Sequence, residues 1–194
     1  MFSHTISRFD QSLVTIHPGE YFVSAEDIII STVLGSCISV SMFDKARCFG
    51  GINHFMLPGD LEDKDVEKSR NAKYGMFAIE LLYNDMLKGG SRKADIVAKV
   101  FGGGSVLRIG TGPTKIPKGN IDFAFAYLEK ENIPVVASDT GGNLPRKIFF
   151  FVRTGKVLLK RISGSVIEQV KIEEEAYLRK IRDYKEGPII MFKK

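Results

Sequence analysis

Ile38, Val40 and Met42 alternate with Ser39, Ser41 and Phe43, a period of two that an extended strand presents as two faces. Shorter extended runs precede it at Tyr21-Phe22-Val23 and from Asp27 to Val33, after a turn at His17-Pro18-Gly19-Glu20. Past a turn at Asp44-Lys45, a further strand is predicted from Cys48 to Phe55, followed by a polar loop from Leu57 to Asp65. From Val66 to Leu87 the period lengthens. Gly75, Ile79, Leu82 and Met86 share one helical stripe, with Ala78 and Leu81 beside it, and Gly89-Gly90 supplies the stop. Asp95 to Phe101 reads as a strand running into Gly102-Gly103-Gly104-Ser105. Asn120 is placed to cap a second helix whose inner stripe is Ile121, Ala124, Phe125 and Leu128. A strand at Val135 to Ser138, a turn at Asp139-Thr140-Gly141-Gly142, and a hairpin of Arg146–Phe151 with Lys156–Ile162 across Thr154-Gly155 complete the pattern.

These strands and helices do not alternate as βαβ units, which predicts an α+β fold. Residues 1–163 are expected to form one domain. Residues 164–194 are expected to be a charged C-terminal extension, with a helix from Glu173 to Tyr184. The 194-residue length and 44% hydrophobic content allow a real core. Two cysteines make no disulfide framework and fit a reducing compartment. The N-terminus has no basic start followed by an apolar run, and no apolar stretch is long enough to span a bilayer. A cytoplasmic protein is expected. Net charge is +5, and eleven Lys/Arg against six Asp/Glu from Val152 onward account for all of it. No nucleic-acid motif accompanies that excess, so it reads as a solvated face.

The candidate chemistry is a thiol and an imidazole. Cys37 ends Leu34-Gly35-Ser36-Cys37, and His54 lies in Gly50-Gly51-Ile52-Asn53-His54-Phe55-Met56-Leu57-Pro58. A thiol after a flexible turn, with an imidazole to take its proton, is the minimum for thiol-based acyl chemistry. A free cysteine is also commonly a small buried hydrophobe. On local physics alone the structural and catalytic readings stand even. Cys48 has neither glycine turn nor histidine beside it and reads as structural. The Gly102-Gly103-Gly104 cluster lacks the spacing of a phosphate-binding loop, so a tight loop or cleft lining is expected. Cys37, His54, His4, His17 and Cys48 form no zinc spacing, and no metal or other cofactor is expected.

Taken together, Thr32-Val33-Leu34-Gly35-Ser36-Cys37, the Gly50–Pro58 stretch, Lys99-Val100-Phe101-Gly102-Gly103, and Asp139-Thr140-Gly141-Gly142 with Arg146 resemble the CheD family of chemoreceptor glutamine deamidases. The resemblance runs from about His17 to about Lys160. It implies a layered α/β/β arrangement like that of toxin-type cysteine deamidases. It implies hydrolysis of glutamine side chains on methyl-accepting chemotaxis receptors to glutamate and ammonia, and binding to a CheC-type phosphatase. Cys37 matches the family's nucleophile and His54 its general base. The third catalytic residue, a threonine six positions before the cysteine, falls on Ser31, with Thr32 adjacent as the alternative. Because neighbours on a strand face opposite ways, only one of the two can serve. The backbone of Gly35, Ser36 and Cys37 is the expected oxyanion site. The segment from Ile109-Gly110 to Asn120 is longer than the family's usual link. Two rival readings stand beside the deamidase: a non-catalytic module that binds CheC or receptors, and a receptor glutamate methylesterase using the same thiol.

Overall fold

A computed structural model describes residues 3–5, 11–57, 70–106, 108–109, 112–113 and 115–183. The elements in chain order are β1 (Ser3–Thr5), β2 (Ser12–Thr15), β3 (Tyr21–Ser24), β4 (Ile28–Leu34), β5 (Ile38–Asp44), β6 (Phe49–Asn53) and α1 (Arg70–Lys88). After a 3-10 turn at Lys93–Asp95 come β7 (Ile96–Gly102), β8 (Arg108–Ile109), β9 (Gly112–Pro113), α2 (Ile116–Lys130), β10 (Val135–Thr140), β11 (Arg146–Phe151), β12 (Lys156–Arg161) and α3 (Val166–Asp183).

The larger strands form two five-stranded sheets, ordered β1-β2-β4-β11-β12 and β10-β7-β5-β6-β3, while β8 and β9 pair apart from them. β5 sits in the middle of the second sheet, antiparallel to both β7 and β6. Its alternation is resolved in space. Ile38, Val40 and Met42 pack with Ile79, Leu82, Met86, Phe123 and Leu128 of α1 and α2. Phe43, one step out of phase, packs with Ile30, Ile148 and Phe150 of the first sheet. Helices, second sheet and first sheet are thus three layers around two apolar seams, the α/β/β arrangement of an α+β fold.

The strand expectations from Tyr21 to Phe55 hold to within a few residues. The second helix does not begin at Asn120. It begins at Ile116 with Pro117 in its first turn, where a missing N–H costs nothing. Asn120 lies inside that helix, and its side chain is committed elsewhere. The expected turn at Asp139-Thr140 is instead the end of β10, which pairs in parallel with β7 as far as Gly102. The loop from Pro58 to Asp65, and the first residues of the helix expected from Val66, lie outside the described residues. The C-terminal helix starts at Val166, earlier than expected, while Tyr184 lies outside the described residues. Val170, Glu174, Leu178 and Ile181 form its buried stripe, and Leu178 and Ile181 join the seam between the sheets.

Candidate active site

β4 and β11 lie side by side with Thr32 opposite Ile148, and cross-strand partners share a face. Ile28, Ile30, Leu34 and Ile148 all pack into the inter-sheet seam. Pleat parity therefore turns Thr32 toward the second sheet and Ser31 away from it. The Thr32 hydroxyl meets His54 Nδ1 at 2.7 Å and donates to the Ile16 carbonyl at 2.8 Å. Ser31 Oγ is buried with no hydrogen-bond partner among the described residues. The hydroxyl at the imidazole is thus that of Thr32, the alternative carried beside Ser31 in the sequence. A count from the cysteine ignores which way each residue of the strand faces.

The pair of bonds also sets the tautomer. Thr32 has one hydroxyl proton, and the Ile16 carbonyl can only accept. For both contacts to be hydrogen bonds, His54 must carry its proton on Nδ1 and donate it to Thr32 Oγ1. Nε2 then holds a bare lone pair, and among the described residues it has no partner. The backbone on either side is fixed. Ile38 and Phe55 exchange both amide bonds at 2.9 Å, which ties the residue after Cys37 to the residue after His54, and the His54 amide donates to the Glu20 carbonyl at 2.9 Å.

Cys37 follows β4 in a turn whose amides all point one way. Gly35 N donates to Glu174 Oε1 at 2.9 Å, Cys37 N to the same oxygen at 3.0 Å, and Ser36 N and Ser36 Oγ to Oε2 at 2.7 and 2.6 Å. This is a built anion cradle, made of the Gly35 and Ser36 groups that the sequence marked. Its occupant is a glutamate of α3 that the sequence reading did not single out. The available signal was a charged residue in the middle of the apolar stripe Val170–Leu178–Ile181. One ligand atom each of Cys37, His54 and Glu174 lies within 4.8 Å of the others. Such a trio can hold a metal ion in principle. Here two donors already fill each carboxylate oxygen, so the cluster reads as an anion site.

Burial pushes the Cys37 thiol well above its ordinary range, and the charge of Glu174 and a hydrogen bond to it push the same way. Burial, with a smaller contribution from His17, lowers His54 to about 3. In this state the thiol and the imidazole are both neutral.

Further side chains hold the turn. Asn120 is fully buried; it donates from Nδ2 to the Ser36 carbonyl at 2.8 Å and accepts Leu57 N at 2.8 Å, so α2 clamps both site segments. Gly103 N donates to the Cys37 carbonyl at 2.7 Å and Gly104 N to the Gly35 carbonyl at 2.6 Å. Gly102 has φ +114°, and a Cβ there would stand 2.2 Å from the Cys37 carbonyl oxygen, a clash that only glycine avoids. Buried Arg146 binds Asp139 and the Gly141 carbonyl, holding the loop that accepts Ser105 N at the Gly142 carbonyl. Beside His54 opens a shallow cleft lined by Gly19, Tyr21, Asn53, Tyr74 and Phe77. Cys48 is exposed in the turn that precedes β6, at the opposite end of that strand from His54, and takes no part. No helix among the described residues is long and apolar enough to cross a membrane.

Comparison with known proteins identifies the family. A probable chemoreceptor glutamine deamidase CheD 1 of Shewanella oneidensis strain MR-1 is 42% identical over 180 residues, covering 93% of this chain and 87% of that protein. A probable chemoreceptor glutamine deamidase CheD of Methylobacillus flagellatus is 42% identical over 175 residues, covering 90% and 86%. One from Janthinobacterium sp. strain Marseille is 45% identical over 154 residues, covering 79% and 75%. The solved structure of the Bacillus licheniformis hypothetical protein YfiH overlaps with a TM-score of 0.40 at 17% identity, covering 61% of this chain and 49% of that one, too little to argue from. Residues 56–161 match the family described as CheD chemotactic sensory transduction. Together with relatives this similar over most of their length, that match makes the chain a member of the CheD family.

Proposed function

We propose that this protein hydrolyses glutamine side-chain amides on chemotaxis receptors to glutamate and ammonia, with Cys37 as nucleophile, His54 as general base and Thr32 as the residue that orients the imidazole. The observation that carries this reading is the Thr32–His54 bond, which leaves the basic nitrogen of the ring unpartnered beside a buried thiol. The names of the relatives supply the substrate class.

The steps balance as follows. His54 Nε2 takes the Cys37 proton while the sulfur bonds to the amide carbon. The carbonyl oxygen becomes an oxyanion, for which the Gly35, Ser36 and Cys37 amides are the donors. His54 returns the proton to the nitrogen, the C–N bond breaks, and ammonia leaves a thioester. Water attacks that thioester, His54 accepts its proton, and glutamate departs as the thiol is restored. A general base of this kind contributes about 100- to 10,000-fold, and one oxyanion donor about 100- to 1000-fold.

The substrate segments of the receptors face the cytoplasm, where this enzyme would act without a cofactor. The family reading also brings in a CheC-type phosphatase as a regulatory partner. The test is ammonia release from a purified receptor cytoplasmic fragment, with mass spectrometry of the Gln→Glu change. Conversion by the wild type and none by Cys37→Ala is the expected result. Equal conversion by both would overturn the assigned nucleophile, and none by either, across several receptors, would overturn the activity.

A further inference from the structure

α3 is a polar helix with one buried stripe, and the one charged side chain in that stripe is Glu174, at 2% exposure. Burying a carboxylate is costly unless its lone pairs are met by donors. Here they are met by the main-chain amides of the nucleophile's own turn. Those amides are the groups that the proposed reaction needs for its oxyanion. The Glu174 carboxylate therefore stands where the carboxylate of a product glutamate would stand, close to the sulfur and the ring of His54.

We propose that α3 is a built-in product mimic that keeps the enzyme closed, and that the groove beneath it takes as substrate an α-helix presenting glutamine in the place of Glu174. This rests on the deamidase reading. The stripe of α3 gives the recognition rule: apolar residues four before, four after and seven after the glutamine, as Val170, Leu178 and Ile181 stand to Glu174.

Three further observations agree. With α3 docked, Cys37 is fully buried and His54 is 2% exposed, so no substrate reaches them. Tyr177, one turn on from Glu174, packs its hydroxyl against Tyr74 and over Gly19, two residues that line the cleft at His54. α3 also leaves the body of the protein through exposed Ser163-Gly164-Ser165, where Gly164 has φ +76° and open space around it, a joint about which the helix can swing away. The docked carboxylate further raises the thiol, so closure removes both access and thiolate.

In the isosteric change Glu174→Gln the amide oxygen keeps one pair of the cradle's donors while the NH2 gives up the other pair, and the mimic becomes a tethered substrate. Its amide carbon would bond to Cys37 sulfur, ammonia would leave with a proton from His54, and water would hydrolyse the thioester to restore a glutamate. The expected result is spontaneous conversion of the introduced amide, gaining about 1 Da, first order and independent of protein concentration, and absent when Cys37→Ala is added. A second readout needs no turnover: iodoacetamide labelling of Cys37 relative to the exposed Cys48 of the same molecule. In Glu174→Ala the Cys37 rate should rise about tenfold for each unit by which its pKa falls. If the wild type deamidates receptor fragments while the introduced amide persists, and Cys37 labels equally fast with and without Glu174, the mimic is refuted and the deamidase stands. If receptor glutamines stay unconverted by Glu174→Ala as well, both readings fall.

Discussion

Replacing Thr32 with valine keeps the volume at the imidazole and removes only the hydroxyl. Two bonds are lost, at 2.8 Å to the Ile16 carbonyl and at 2.7 Å from His54 Nδ1. Ile16 and His54 are each 2% exposed, so water cannot take the place of the hydroxyl. An unsatisfied buried group costs about 1–3 kcal/mol, so Thr32→Val should destabilise by about 2–6 kcal/mol. Freed from its acceptor, the ring no longer has a preferred tautomer, and much of the base contribution of about 100- to 10,000-fold should go with it. Ser31→Ala is the paired control. Its hydroxyl is buried and bonds to nothing among the described residues, so its removal should shift stability by less than about 1 kcal/mol, in either direction, and leave turnover near the wild-type rate. Urea unfolding by linear extrapolation gives the first quantity, and initial rates of ammonia release give the second. A collapse of activity in Ser31→Ala with a mild effect of Thr32→Val would refute the pleat-parity argument and the tautomer drawn from it.

His54 is held at about 3, against an ordinary 6.5, mainly by burial. Between those values the unfolded chain binds a proton that the folded chain refuses, so stability is full above pH ~6.5 and falls with pH at up to about 1.4 kcal/mol per unit. Urea titrations from about pH 7 down to about pH 5 should show this slope in the wild type and lose one proton's worth of it in His54→Gln. Asn120→Ala strips the acceptor from Leu57 N and the donor from the Ser36 carbonyl. Unfolding should show a loss of about 2–4 kcal/mol, with slower turnover because both site segments loosen. Asn120→Asp keeps the acceptor for Leu57 N but sets a buried carboxylate oxygen against the Ser36 carbonyl, and should destabilise at least as much as alanine.

Much of this architecture is legible in the periodicities. Ile38, Val40 and Met42 announced a two-faced strand, and the glycine turn before Cys37 marked the expected oxyanion site. What escaped depends on tertiary partners. Asn120 has the residue type and position of a helix cap, but a buried asparagine with two backbone partners across the fold gains more than a cap supplies, and Pro117 lets the helix start earlier. Ser31 against Thr32 is decided by which face of β4 meets the second sheet, a fact of sheet packing. Glu174 sits in a run of three glutamates, and only the stripe of Val170, Leu178 and Ile181 separates it from its exposed neighbours Glu173 and Glu175.

A hydroxyl, where many thiol and serine hydrolases place a carboxylate, suits the rest of this site. A carboxylate at position 32 would stabilise the imidazolium, but whenever the ring was neutral it would be a buried charge without a counter-ion, which costs several kcal/mol, about what a buried ion loses on leaving water. Thr32 orients the ring through a neutral bond and imposes no such cost. The site can therefore rest as a neutral thiol beside a neutral imidazole, as burial dictates for Cys37 and His54. In the proposed reaction the charges would then appear only when a carbonyl lies among the amides of Gly35, Ser36 and Cys37, ready to carry the negative charge. In such a site selectivity lies in admission. On the proposed mechanism, a side chain that fits the cradle would complete the charge balance, and one that does not would leave the thiol protonated and inert.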